Sequence, residues 1–84
     1  MDVAYGYSLD REAVASLLLC TARERRLLVA ALEQMARFPF STGDFNATGP
    51  DGRESQLFDI GEFIVTCWPD HAAKTLRILS IERV

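Results

Sequence analysis

The stretch TARERRLLVAALEQMARFP, residues 21–39, decides how the rest of the chain is read. Thr21 and Glu24 stand three apart ahead of an apolar run, the spacing of a capping box. The threonine oxygen accepts the N–H of Glu24, and the glutamate reaches back to the N–H of Thr21. Leu28, Ala31, Leu32, Met35 and Phe38 then recur at helical spacing and make one apolar face. Arg25, Arg26, Glu33, Gln34 and Arg37 fall mostly on the other face, with Glu33 and Arg37 in the favourable i,i+4 order. Pro39 ends the helix, because the residue before a proline disfavours the α region.

Upstream, Asp2 to Tyr7 alternates, with Val3, Tyr5 and Tyr7 on one side, which predicts a half-buried strand. Ser8 or Asp10 can cap a first helix over Leu9 to Leu19 that buries Val14, Leu17 and Leu18. Almost nothing separates it from the second helix, so the two form an αα-hairpin. Downstream, Phe40 to Asn46 reads as a loop, and Gly49-Pro50-Asp51-Gly52 is turn chemistry. Three extended runs follow: Arg53 to Ile60, Glu62 to Trp68 and Thr75 to Val84. Gly61 and Pro69-Asp70-His71 separate them at hairpin spacing. The runs FIVTCW and LRILSI are apolar on both faces, as expected of central strands beneath helices. The expected architecture is α+β: an N-terminal strand, an αα-hairpin, then a three-stranded antiparallel meander forming one small sheet covered by the helices.

Eighty-four residues make one domain, 1–84, with room for one modest core. Hydrophobic residues are 49% and charged residues 25%, ordinary for a globular protein. No apolar run reaches the roughly 20 residues of a membrane span, and Val14 to Cys20 lacks a basic segment ahead of it, so neither a membrane partner nor a secretory leader is expected. Cys20 and Cys67 are the only cysteines. One pair makes no disulfide framework and no metal cluster, so two buried, reduced thiols in a cytoplasmic protein are expected, with a single bridge left open. The net charge of −3 removes the global footprint of a nucleic-acid binder, so any contact with polyanions must come from a local patch.

The order strand, helix, helix, meander, together with TARERRLLVAALEQMARFP, Gly43-Asp44 and the ending GEFIVTCWPDHAAKTLRILSIERV, resembles the RelE/ParE toxins of type II toxin–antitoxin pairs, linked with plasmid stabilization. The segment WPDHAAKTLRI is similar to members with a Trp-x-Asp-His-Ala turn. The resemblance implies an antitoxin protein as partner, and either a metal-independent, ribosome-associated mRNA endonuclease (an mRNA interferase) or a toxin directed at DNA gyrase. It implies no cofactor and no metal. Its RNA-cleaving members use clustered Lys and Arg, often with a Tyr or His, because charge builds on the phosphoryl oxygens as the 2′-oxygen attacks. On this chain those roles fall to His71, Lys74 and Arg77 as catalytic residues and to Arg53 and Arg83 as substrate-binding residues. The sequence departs from the family where Glu54, Gln56 and Phe63 replace basic positions, and it ends at Val84, short of a tail in which some members carry a tyrosine.

Each candidate also has a structural reading. His71, the only histidine and so the only side chain with an ordinary pKa near neutrality, also suits a turn bonded to Asp70. Lys74 and Arg77 stand three apart, on opposite faces of a regular strand, and suit a solvated surface. Trp68, Tyr5 and Tyr7 offer rings for base stacking or fill a core. Arg23, Arg25 and Arg26 form a basic cluster or a plain helix surface. A non-catalytic protein-interaction module on the same fold is the alternative to the nuclease.

Overall fold

The computed structural model describes residues 5–40, 43, 45–48, 52 and 54–84, with the backbone alone at 45 and 47. The elements run β1 (Gly6–Leu9), α1 (Arg11–Leu18), α2 (Ala22–Arg37), β2 (Phe45–Thr48), β3 (Glu54–Ile60), β4 (Phe63–Asp70) and β5 (Thr75–Arg83). They build one five-stranded sheet in the order β1-β5-β4-β3-β2. β1 lies parallel to β5, and every other pairing is antiparallel.

The capping box forms as read. Glu24 N–H donates to Thr21 Oγ1 at 3.1 Å, and Thr21 N–H donates to Glu24 Oε1 at 2.9 Å. α2 turns Leu28, Leu32 and Ala36 onto the sheet, where they meet Val65, Leu76 and Ile78, all at most 4% exposed, with Met35 packed against the cluster. Phe38, expected on that face, is 53% exposed because its backbone has already left the helix. No ion pair joins Glu33 to Arg37 among the described residues.

Three boundaries differ from the sequence reading. Among the described residues the first strand is Gly6–Leu9, and it runs past the expected end at Tyr7 because Ser8 and Leu9 pair with Arg77 and Ile78 of β5; the start of the expected strand, Asp2 to Ala4, lies outside the described residues. α1 consequently starts at Arg11 and buries Ala13 and Leu17, while Val14 and Leu18 are 40% and 72% exposed. Asp10 takes the N-cap position without making a side-chain cap bond. Finally, the end of the expected loop Phe40 to Asn46 is strand. β2 pairs Phe45 with Leu57 through Thr48 with Glu54, so the meander has four strands, not three. A four-residue strand has no periodicity of its own to read; its pairing with β3 supplies its order. Of the turn between them, only Gly52 is described.

Two glycines hold the meander's geometry. Gly61 has φ +59 at the first central position of the β3–β4 hairpin, a conformation that favours glycine. Gly43 donates its N–H to Gln56 Oε1 at 2.9 Å, and a Cβ there would lie 2.9 Å from the Leu57 carbonyl oxygen.

All the buried apolar side chains of β4 and β5 share one cluster with those of both helices, so α1 and α2 cover the same face of the sheet. Cys67 faces this core at 1% exposure, and burial pushes its thiol up to about 12. Cys20 is buried too, its thiol donating to the Ser16 carbonyl at 3.3 Å, and both cysteines are free.

Candidate functional site

The β4–β5 connection carries the candidate histidine and lysine, and local bonds shape it. Asp70 Oδ1 accepts the N–H of Ala73 at 3.1 Å, and the Thr75 hydroxyl donates to the Ala73 carbonyl at 3.1 Å. Lys74 sits at φ +52, the one left-handed non-glycine residue among those described. An L-residue stays there only when its surroundings demand it, and here the Lys74 carbonyl accepts the N–H of Gly6 at 3.2 Å, which fixes the start of β1. Its side chain is exposed.

His71 is exposed but not isolated. Its Nδ1 shares a 2.8 Å hydrogen bond with the Tyr5 hydroxyl, the phenol O–H donating when that nitrogen is unprotonated. Phe40 stacks on the imidazole at 5.1 Å between ring centres with 10° between planes, and the Tyr5 ring stands edge-on to both. Tyr5 N–H donates to the Ala36 carbonyl at 3.1 Å, so this aromatic group joins the C-terminal end of α2 to the hairpin tip. Asp70, the expected partner of His71, is engaged by the turn backbone.

Arg77 belongs to the other face of the sheet. Its neighbours Leu76 and Ile78 point into the core, so alternation turns Arg77 away from the helices. There it lies 3.7 Å from Asp10 Oδ1 and 5.8 Å over the ring of Trp68, its partner across the β4–β5 ladder. Ser55 is 8% exposed beside Trp68's strand position, and Leu57, Ile64 and Thr66 continue the half-buried surface.

Arg83 stands six residues beyond Arg77, and a regular strand would point both to the same face. A β-bulge intervenes. Thr66 pairs with Ser80 and Cys67 with Ile78, leaving Leu79 as the extra residue. The inserted residue reverses the alternation, as bulges do, and sends Arg83 to the helical side. There it grips Glu24 with two donors, at 2.8 and 3.1 Å, reaches Glu62 at 3.5 Å, and packs 4.7 Å over the ring of Phe63. The guanidinium and the Thr21 N–H together pull the Glu24 carboxyl down to about 2.

The candidates thus occupy separate places. His71 and Lys74 share the hairpin tip, Arg77 lies on the open face, Arg83 is bound into a clamp on the helical face, and Arg53 lies outside the described residues. Stabilising a pentavalent phosphate requires cations aimed at one point, and among the described residues Arg77 and Arg83 point to opposite faces. Of the basic helix cluster, Arg25 is committed to structure: its Nε donates to the Leu17 carbonyl and its Nη2 to the Cys20 carbonyl, closing the end of α1. Tyr5, Phe40, Asp10 and Glu24 are the contacts of the candidate residues that spacing could not expose. Tyr5 and His71 are 66 positions apart, and no local pattern links them. No group of three His, Cys, Asp or Glu able to hold a metal gathers among the described residues, and no described helix is long and apolar enough to cross a membrane.

No protein-family model matches the sequence, and no curated protein matches it significantly. The structure does have close counterparts. A chain of the toxin–antitoxin complex RelBE2 from Mycobacterium tuberculosis superposes with TM-score 0.77 at 15% identity, over 98% of this chain and 100% of that one. A chain of the archaeal RelE–RelB complex from Pyrococcus horikoshii gives 0.73 at 14% identity, over 96% of each. The intact Escherichia coli RelBE complex gives 0.66 at 11% identity, over 96% and 98%. The RelE-like fold expected from the sequence is therefore the fold of this chain, end to end.

Proposed function

We propose that this chain is the toxin-like half of a toxin–antitoxin pair, working in the cytoplasm and held in check by an antitoxin protein. The observation that carries the reading is the whole-length likeness to chains from three such complexes. Fold alone does not assign chemistry, so the mode of action is argued from the side chains. Arg83 is neutralised by two glutamates, Arg77 faces Asp10, and residues 43–84 hold four Lys or Arg against seven Asp or Glu. This distribution favours action by binding a protein target over action on RNA phosphates, DNA gyrase being the protein target among the alternatives that the sequence resemblance to RelE/ParE toxins implies.

RNA cleavage is a second reading, and one feature favours it. The Tyr5–His71 pair puts a hydroxyl and an imidazole in hydrogen-bond contact beside the Lys74 backbone, and such a pair can pass a proton to a leaving oxygen. In this reading His71, Lys74 and Arg77 act on the phosphate, with Arg53 and Arg83 holding the strand.

Induction of the chain in a bacterial host tests both. Growth arrest relieved by co-expressing the product of a neighbouring antitoxin-like reading frame is the expected result, and unimpaired growth overturns the toxin assignment. Mapping the 5′ ends of cellular messages then separates the two modes. Arrest without new cuts supports protein binding. Cuts in translated messages that vanish in folded His71→Ala and Tyr5→Phe variants establish cleavage.

A further inference from the structure

Neither helix covers the far side of the sheet. There Leu57 of β3, Ile64, Thr66 and Trp68 of β4 and Ser80 of β5 stand half-buried in one patch, joined through the ladder pairs Leu57–Thr66 and Thr66–Ser80. Ile64 and Trp68 lie about 13 Å apart along an extended strand, the rise of between two and three helical turns. β3, β4 and β5 are interior strands with a neighbour on each edge, so a partner cannot join this patch by adding a strand. An element that satisfies its own backbone and offers an apolar stripe can, and that element is a helix.

The charges around the patch are mainly acidic. Ladder pairing puts Asp59, Ile64 and Glu82 in one row across β3, β4 and β5. Asp59 and Glu82 are both exposed. Two strand spacings set them about 10 Å apart, close to the width of a helix. At the other end Arg77 lies over Trp68 but faces Asp10 at 3.7 Å, and Asp70 shares that end through its pairing with Thr75. Among the described residues, Arg77 is thus the one base on this side of the three strands, against Asp59, Asp70 and Glu82.

We infer that this face docks a basic amphipathic helix of a protein partner, with its apolar stripe on Ile64 and Trp68 and a Lys or Arg on either flank reaching Asp59 and Glu82. The acidic rim selects the occupant: it repels RNA phosphates, and it repels a second copy presenting the same face. The inference rests on the proposed reading for the existence of a partner, and it adds the chemistry of the segment that covers the sheet.

Trp68 is the only tryptophan of the chain, so its fluorescence reports occupancy of the face in the whole protein. The probe is a synthetic helix of about 18 residues with a leucine stripe flanked by lysines. The expected result is a saturable change in Trp68 emission that weakens in about 1 M salt, where the Debye length falls to about 3 Å. The same peptide with glutamates in place of its lysines should bind about tenfold more weakly. The double variant Asp59→Lys with Glu82→Lys should reverse that order and prefer the glutamate peptide, circular dichroism verifying that it is folded. Silence of Trp68 toward the lysine peptide overturns the inference, and so does equal binding of the two peptides by the unsubstituted chain, whatever the variant does. A single-stranded RNA that shifts Trp68 emission where the peptide does not overturns it too, by making the face a phosphate site. Growth arrest is scored separately: a chain that arrests growth and ignores the lysine peptide keeps the toxin reading and loses this one.

Discussion

The two faces of the sheet are built on different terms. On the helical face, Phe63, Val65, Cys67, Leu76, Ile78 and Ile81 are all at most 4% exposed under α1 and α2. On the other face, Ile64, Thr66 and Trp68 alternate with them along the same strand yet remain half-buried, and Arg77 lies across Trp68 in contact with Asp10. The first face supplies nearly all the cohesion of a small domain. The second is a surface on which Ser55 is buried while Leu57, Ile64, Thr66 and Trp68 are only half-buried. The contrast teaches where function has room: a side chain there can change without unfolding the protein, whereas even the cation on the helical side, Arg83, is part of the scaffold.

Substitutions on neighbouring residues break or sharpen this contrast. Leu32→Ala on the helical side should lower stability by about 2–5 kcal/mol, since it leaves a cavity against the sheet. Val65→Ala removes two methyl groups from a fully buried site and should cost roughly 2 kcal/mol. Its strand neighbour Thr66→Ala, on the opposite face, should change stability by under about 0.5 kcal/mol. Urea midpoints measure all three, and equal losses at Val65 and Thr66 would mean that both faces are covered in solution.

Arg83 and Arg77 give the same comparison among cations. Arg83→Ala breaks a two-donor grip on Glu24, while Arg77→Ala breaks one long contact with Asp10; both guanidinium groups are about half exposed. Arg83→Ala should therefore lower the urea midpoint more than Arg77→Ala does, both shifts being small after solvent screening. Acid titration isolates the clamp. The Glu24 carboxyl is lowered in the folded state from its ordinary value of 4.5 to about 2. The folded state therefore binds fewer protons than the unfolded one between those values. The clamp's contribution is complete above pH 4.5 and is lost as pH falls toward 2. Glu24→Gln should flatten that part of the stability profile, and an unchanged slope would show that Arg83 does not hold Glu24 in solution. The hairpin tip gives an effect of the opposite sign: Lys74→Gly relieves a left-handed backbone and should raise stability by about 0.5–1 kcal/mol, read from the urea midpoint.

The sequence by itself determined what local chemistry controls. Thr21 and Glu24 cap α2 because both bonds lie within one helical turn, and Pro39 marks its end for an equally local reason. Leu28 and Leu32 follow the 3.6-residue period into the core, and the apolar runs in β4 and β5 mark the central strands. The RelE-like order of elements was legible for the same reason. Only the tertiary structure decided what depends on pairing between distant strands. β2 exists because β3 offers it a ladder, and β1 runs on to Leu9, delaying α1, because β5 does the same. The candidate site was the least legible part. His71, Lys74, Arg77 and Arg83 lie within 13 residues of one another, close enough to read as one basic cluster. Yet Tyr5 claims His71 across the length of the chain, and one extra residue at Leu79 turns Arg83 through the sheet to Glu24. A strand's alternation fixes side-chain direction only as long as the ladder is unbroken, and where it breaks is set by the partner strand, which the sequence of β5 does not contain.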